Sequence, residues 1–182
     1  MPLRCRMLDD TLVSAWDAFV LALPEGTFFH LARWREVIAR TFRHPACYLL
    51  AERDGQISGV LPLIHIRTRL FGNGLVSVPF CVYGGPLAAD AESAAALEQE
   101  AARFMERSGA RFCEFRLLHE ISSSWEIGPS LYETFRKSLA PTDEENLKAI
   151  PRKQRAVVRK GIANGLTARV DRDADAFFPL YA

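Results

Sequence analysis

Leu12, Trp16, Phe19, Val20 and Leu23 recur at helical spacing behind Asp9 and Asp10, either of which can accept hydrogen bonds at a helix start. The pattern predicts an amphipathic helix that Pro24 and Gly26 end. A second begins near Leu31 and carries Leu31, Trp34, Ile38 and Phe42 on one face until His44-Pro45 interrupts it. The chain then changes to extended apolar runs at 46–52 and 56–69, separated by Asp54-Gly55. Asp-Gly between two such runs predicts a hairpin, because both central positions of a type I′ turn need positive φ. Pro62 cannot donate to a ladder in the middle of the second run, so it predicts a bulge, an edge or a splayed sheet there.

Phe71-Gly72-Asn73-Gly74 marks the next turn, and 75–80 the next strand. Val82-Tyr83-Gly84-Gly85-Pro86 follows as an apolar but permissive loop. Ala94, Leu97, Ala101 and Phe104 form the inner stripe of a helix from about Asp90 to Arg107, stopped near Gly109. Residues 111–118 alternate, with Cys113, Phe115 and Leu117 on one face and Phe112, Glu114 and Arg116 on the other. Ser122-Ser123-Ser124 and Gly128-Pro129 mark a loop, 132–139 predicts a further strand, and 3–7 a short one at the start. The order describes an α/β or α+β layout with a mostly antiparallel start, not a doubly wound repeat of βα units.

The chain has 182 residues, enough for one large domain or one and a fraction. Its 49% hydrophobic content supports a sizeable core and excludes intrinsic disorder. Lys and Arg number 23 against 22 Asp and Glu, so the broad cationic surface of a dedicated nucleic-acid binder is excluded, no DNA partner is expected, and anion recognition must be local. Residues 1–140 hold 15 basic and 16 acidic groups, and residues 141–182 hold 8 and 6. Between 148 and 160 lie Lys148, Arg152, Lys153, Arg155, Arg159 and Lys160 with no acid among them. Thr142 with Glu145 is a capping-box pattern, Pro151 suits a helix start, and Asn164-Gly165 a helix end. Lys148, Arg152, Arg155 and Arg159 then lie near one face if the helix runs through Pro151.

Cys5, Cys47, Cys81 and Cys113 are far apart, and His30, His44, His65 and His119 show no ligand spacing, so no metal site and no disulfide framework are expected. No run approaches the roughly 20 apolar residues of a membrane span, and acidic residues interrupt the N-terminus before a signal could form. A cytoplasmic protein is the expectation. Covalent catalysis is not indicated, since no Gly-x-Ser-x-Gly elbow or cysteine signature occurs.

Five stretches occur together in order: the run from Tyr48 through Asp54-Gly55 to Leu63, Leu-Val-Ser-Val-Pro-Phe at 75–80, Tyr-Gly-Gly-Pro-Leu at 83–87, Cys-Glu-Phe-Arg at 113–116, and the basic stretch at 151–161. Together they resemble the FemAB-related proteins of the GNAT superfamily, in the branch associated with exosortase and PEP-CTERM systems of exopolysaccharide-producing bacteria. The resemblance implies two GNAT-like domains, each a mixed, largely antiparallel sheet flanked by helices. Residues 1–140 would form the N-terminal domain and residues 141–182 an incomplete start of the second, with a strand near 166–170 and a helix beginning at Asp173, so that the chain is expected to be a fragment. It further implies transfer of an acyl or aminoacyl group to an amine in cell-envelope or exopolysaccharide biosynthesis. The donor substrate would be an acyl-CoA or an aminoacyl-tRNA, with no tightly bound cofactor. The partners would be a small-molecule or lipid-linked envelope precursor, tRNA, and the missing remainder of the second domain.

Such a reaction needs a deprotonated amine, a place for the oxyanion and a grip on the donor phosphates. GNAT enzymes commonly hold the CoA pyrophosphate with amides of an Arg/Gln-x-x-Gly-x-Gly/Ala loop that opens a helix. Arg69-Leu70-Phe71-Gly72-Asn73-Gly74 has that spacing but precedes a strand, so a β-turn is expected there. Arg155, Arg159 and Lys160 are the anion candidates, against a solvated helix face. Glu114 and Arg116 share a strand face and either line a cleft or form a structural ion pair. Tyr83 with Gly84 and Gly85 either brings a hydroxyl and close backbone to substrate or makes a tight turn with a packed tyrosine. His30 is expected to cap the second helix, the alternative being a substrate contact. A non-catalytic GNAT-like domain that binds an anionic sugar or nucleotide precursor, or a partner domain, is the competing reading.

Overall fold

In the computed structural model, residues 3–68, 72–118, 125–128 and 133–181 are described. They form two compact units, Met1–Trp125 and Glu126–Ala182. The boundary expected at 140/141 lies inside the second unit.

The first unit opens with strand β1 (Arg4–Met7). Asp9 then accepts from the Thr11 backbone N–H at 2.9 Å and starts a 3₁₀ turn that runs into helix α1 (Val13–Ala22). A second 3₁₀ turn (Phe28–His30) precedes α2 (Trp34–Phe42), which therefore starts three residues later than its apolar stripe suggests. Strands β2 (Ala46–Arg53) and β3 (Gln56–Thr68) form the expected hairpin, with Asp54 at φ 53° and Gly55 at φ 78°. Strand β4 (Gly72–Ser77), a two-residue strand β5 (Leu87–Ala88), helix α3 (Ala91–Ser108) and strand β6 (Cys113–Glu114) complete the unit.

The sheet runs β1-β2-β3-β4-β6, with β5 also on β3. Every pairing is antiparallel except β4 with β6, which is parallel because α3 carries the chain back between them. The strand expected over 111–118 is thus reduced to two residues.

Alternation along β2 divides the core. Tyr48 and Leu50 join Trp16, Val20, Ala32, Ile38, Val60, Ile64 and Leu87 under α1 and α2. Cys47, Leu49 and Ala51 join Leu61, Leu63, Leu75, Leu97 and Ala101 under α3. Because helices cover both faces, β2 reads as a continuous apolar run and not as an amphipathic strand. Gly59 lets α3 approach: a Cβ there would lie 2.9 Å from the Leu97 side chain.

Pro62 stands in the middle of β3, opposite Tyr48 on β2. On the other edge of β3, residues 63–68 pair with β4 and residues 59–60 with β5. Pro62 falls in the gap, so its missing N–H leaves no ladder position empty. The ladder irregularity lies elsewhere, between Ala51 and Glu52. The strand expected over 75–80 accordingly ends at Ser77.

In the second unit Thr142 caps helix α4 (Asp143–Ala149), and α5 (Arg152–Ala163) follows after Pro151. The two helices are separate, so no single face joins Lys148 to Arg159. Gly165 at φ 73° ends α5, and the Leu166 N–H donates to the Gly161 carbonyl at 3.2 Å. Residues 133–139 and 166–170 carry no strand, contrary to expectation, since a segment without a ladder partner gains nothing from extension. The last helix is the short α6 (Phe178–Tyr181), not one that begins at Asp173.

Leu97 is fully buried between α3 and the sheet. Leu97→Ala should cost about 2–5 kcal/mol of unfolding free energy in urea titration, whereas Ala95→Ser on the exposed side of α3 should leave the midpoint nearly unchanged.

Candidate functional site

In an open sheet the carboxyl ends of adjacent parallel strands are the place where ligands settle. Here that place is the end of β4 at Ser77 and of β6 at Glu114. The structure brings five of the residues singled out from the sequence to it: Tyr83, Gly84, Gly85, Glu114 and Arg116.

Arg116 organises this crevice. Its backbone N–H donates to Ser77 Oγ at 2.7 Å, and its carbonyl accepts from the Gly84 and Gly85 amides at 3.0 and 3.2 Å. Its guanidinium pairs with Glu114 through Nε at 2.9 Å and donates through Nη1 to the Cys81 carbonyl at 3.0 Å. Glu114 and Arg116 are therefore an ion pair that also ties down a loop.

Gly84 has no room for a side chain, since a Cβ there would lie 2.6 Å from Cγ2 of the buried Val78, whereas one on Gly85 would meet only the movable end of Leu117. Tyr83 packs its ring edge-on to Phe29 at 6.4 Å. Burial raises the pKa of the Cys81 thiol, with the Arg116 charge acting in the opposite direction.

The loop that enters the crevice leaves β4 through two non-glycine residues in the left-handed region, Val78 at φ 44° and Phe80 at φ 68°, on either side of Pro79. A β-branched residue there costs about 1–3 kcal/mol. The buried Val78 is held by its N–H to the Pro62 carbonyl at 3.2 Å, and Phe80 stacks on Phe42 at 4.2 Å.

His30 supports the same loop from the helical side. Its Nδ1 lies 3.3 Å from the Thr27 backbone N–H and 2.8 Å from Thr27 Oγ1, while Nε2 lies 3.1 Å from the Gly85 carbonyl. A backbone donor at Nδ1 and a carbonyl acceptor at Nε2 assign the neutral tautomer with the proton on Nε2. The His30 carbonyl in turn accepts from the Trp16 indole at 2.7 Å. His30 does not cap α2, whose start has no side-chain cap; with Thr27 it closes the capping box of the 3₁₀ turn that precedes it. Thr-x-x-His supplies the capping spacing in the sequence, but the partner 55 residues away has no local signature.

The start of α3 is occupied from within the chain. Asp90 accepts the Ser93 amide at 2.8 Å, and Arg53 pairs with Asp90 at 3.0 Å and with Glu92 at 2.7 Å. The Ser93 amide and the Arg53 charge hold the Asp90 carboxyl below its usual pKa. Two carboxylates at this end oppose a pyrophosphate. Of the glycine loop noted in the sequence, Gly72, Asn73 and Gly74 begin β4, and Arg69, Leu70 and Phe71 lie outside the described residues.

In the second unit Arg155 folds back on α4. Its Nη2 donates to the Lys148 carbonyl at 2.6 Å and to the Ile150 carbonyl at 2.9 Å, and Nε to Ile150 at 3.1 Å. Arg155 thus satisfies the open carbonyl end of a neighbouring helix. Arg159 and Lys160 are exposed and in no ion pair among the described residues. Leu147, Ile150, Val158 and Ile162 line a cleft of about 440 Å³ between α4 and α5, with Asp143 and Glu144 at its rim. In the first unit a cleft of about 390 Å³ lies between Trp125 and the Ala95–Ala102 side of α3. His119 and Ser122–Ser124 lie outside the described residues, and no cluster that could hold a metal occurs among the described ones.

Two measurements test these roles. Burial holds the His30 pKa below its ordinary 6.5, the Gly85 contact opposing it in part. Below that value the unfolded chain takes up the proton first, so stability should fall as the pH drops beneath about 6.5 and be level above it. His30→Gln should remove that increment of pH dependence in denaturant titrations. In the second unit, Arg155→Ala should speed amide exchange in α4 about tenfold, from loss of charge-assisted bonds to two carbonyls, while Arg159→Ala leaves it unchanged.

No family model and no curated protein matches this sequence. Three solved structures do. A ribosomal-protein-alanine N-acetyltransferase from Brucella melitensis biovar Abortus 2308 is 14% identical, with a TM-score of 0.45 over 70% of this chain and 99% of that one. A GNAT family acetyltransferase from Staphylococcus aureus subsp. aureus USA300_TCH1516 is 11% identical, with a TM-score of 0.47 over 76% of this chain and all of that one. FemX is 19% identical, with a TM-score of 0.54 over 96% of this chain and 48% of FemX. The fold is GNAT-like, a mixed and mostly antiparallel sheet with flanking helices, and the chain spans about half the length of FemX.

Proposed function

We propose that this chain belongs to a FemAB-type transferase that moves an acyl or aminoacyl group to an amine by direct attack, in cell-envelope or exopolysaccharide biosynthesis. The observation that carries the reading is the likeness to FemX over 96% of the chain. The ordered sequence stretches that resemble the exosortase-associated FemAB branch support the finer assignment. The setting in this reading is cytoplasmic, where acyl-CoA and charged tRNA are both at hand. No described helix is long and apolar enough to cross a membrane.

Within this reading residues 1–140 are the N-terminal GNAT-like domain and residues 141–182 the start of a second. Tyr83, Gly84, Gly85, Glu114 and Arg116 face the acceptor, an envelope precursor. Arg159 and Lys160 contact donor phosphates, with Arg155 fixing the helix that presents them. The carboxylates at the start of α3 support placing the donor away from that helix end, whether it is an aminoacyl-tRNA or an acyl-CoA.

A second reading, binding without transfer, draws support from the crevice itself. Arg116 already bonds Ser77, Glu114, Cys81, Gly84 and Gly85 across it, which leaves little room for a reacting group. The two are separated by incubating the full protein with acyl-CoAs and with charged tRNA, in the presence of envelope precursors, and following donor consumption. Transfer predicts that one donor is consumed and that Arg159→Glu with Lys160→Glu lowers its affinity about tenfold; donor left intact beside bound precursor supports the binding reading.

A further inference from the structure

The strained loop and α2 together build a surface that neither unit's core explains. Phe42 and Phe80 stack at one end of α2, while Tyr83 meets Phe29, and Phe28 and Phe29 meet Trp34, at the other. The loop from Phe80 to Tyr83 therefore runs along a nine-residue helix, about 13 Å long. Phe28 is 66% exposed, Phe80 64% and Val82 57%, and Val37 and Phe42 are also exposed. The backbone of Phe80 is held at φ 68° beside Val78 at φ 44°, so unfavourable conformations present an apolar side chain to solvent instead of hiding it.

The charge on and beside α2 is mostly basic. Arg33, Arg35, Arg40 and Arg43 lie on or beside α2 against the single acid Glu36, and residues 78–86 carry no charge at all. Arg35 pairs with Asp10, and Arg40 is 3.9 Å from Glu36. Arg33 and Arg43 are exposed and in no ion pair among the described residues. Residues 1–140 as a whole hold 15 basic against 16 acidic groups, so this excess is local. The cleft beside α3 shares no lining residue with the face.

We propose that this face docks the protein on an anionic lipid surface, with Phe80 and Val82 entering the interface and the α2 arginines meeting lipid headgroups. An aromatic and aliphatic loop beside a cationic helix is the composition that partitions into such an interface. Arginine stems cover apolar area while their charged heads stay at headgroup level. A polynucleotide is the poorer fit, because two of the four arginines already have acidic neighbours and the loop offers no cation to follow a phosphate chain. The inference is independent of the transfer reading and is tested without turnover.

The test is co-sedimentation of the full protein with vesicles of phosphatidylcholine alone, or with about half phosphatidylglycerol. Binding is expected to the anionic vesicles, to weaken with added salt, and to fall about tenfold in Phe80→Ser with Val82→Ser and in Arg40→Glu with Arg43→Glu. Unchanged circular dichroism verifies that these variants fold. Phe80→Trp should retain binding, and the emission of the added indole, taken as the difference from the parent protein, should shift to the blue when vesicles are added. No binding to anionic vesicles, binding indifferent to Phe80 and Val82, or a difference emission unmoved by lipid would each overturn the proposal. So would sedimentation velocity showing a dimer that Phe80→Ser disperses, which would make the face an interface between copies.

Discussion

One strand with two partners on a single edge sets the terms for the first unit. β3 gives residues 63–68 to β4 and residues 59–60 to β5, and Pro62 occupies the space between. A residue that donates no hydrogen bond suits a position where no acceptor strand is present. The consequence is that β4 must stop at Ser77, and the chain must leave the sheet and return at Leu87 within a short span. The left-handed conformations at Val78 and Phe80, the close glycines and the aromatic stacks all answer to that detour.

Two interactions from opposite sides hold the detour in place. Arg116 anchors it from the end of the parallel strand pair, and His30 anchors it from the helices through the Gly85 carbonyl. Each joins segments more than 30 residues apart, so the loop is fixed by tertiary contacts and not by its own turn chemistry. The neutral imidazole suits the task, since a protonated Nδ1 would face the Thr27 backbone N–H.

Features that depend on local spacing were legible in the sequence. Asp54-Gly55 specified its hairpin through the two positive φ values, Thr142 with Glu145 its cap, and the apolar stripe around Leu97 its helix. Strand alternation put Glu114 and Arg116 on one face, with an ion pair as one of two readings, and glycine permissiveness marked 84–85 for a close backbone approach; the structure forms that pair and joins both glycine amides to the Arg116 carbonyl. What pattern alone did not reveal was their mutual closure, because the bond from a Gly amide to a carbonyl 31 or 32 residues away leaves no trace in periodicity. Arg155 failed to read as a helix-end ligand for a similar reason: a basic run looks the same whether its members face solvent or a neighbouring carbonyl. The strands expected over 132–139 and 166–170 rested on β-type composition, which does not supply a partner.

The parallel pairing of β4 with β6 has a bearing on the order in which this unit assembles. β2, β3 and β4 follow one another as a meander whose contacts are close in sequence, so they close with little loss of loop entropy. β6 can join only after α3 has formed and crossed the sheet, and it contributes just two residues to the ladder. The crevice and its Arg116 ties therefore belong to the last edge to form. With two ladder pairs on one side only, this edge has little backbone pairing of its own, and the ties of Arg116 to the loop are what secure it.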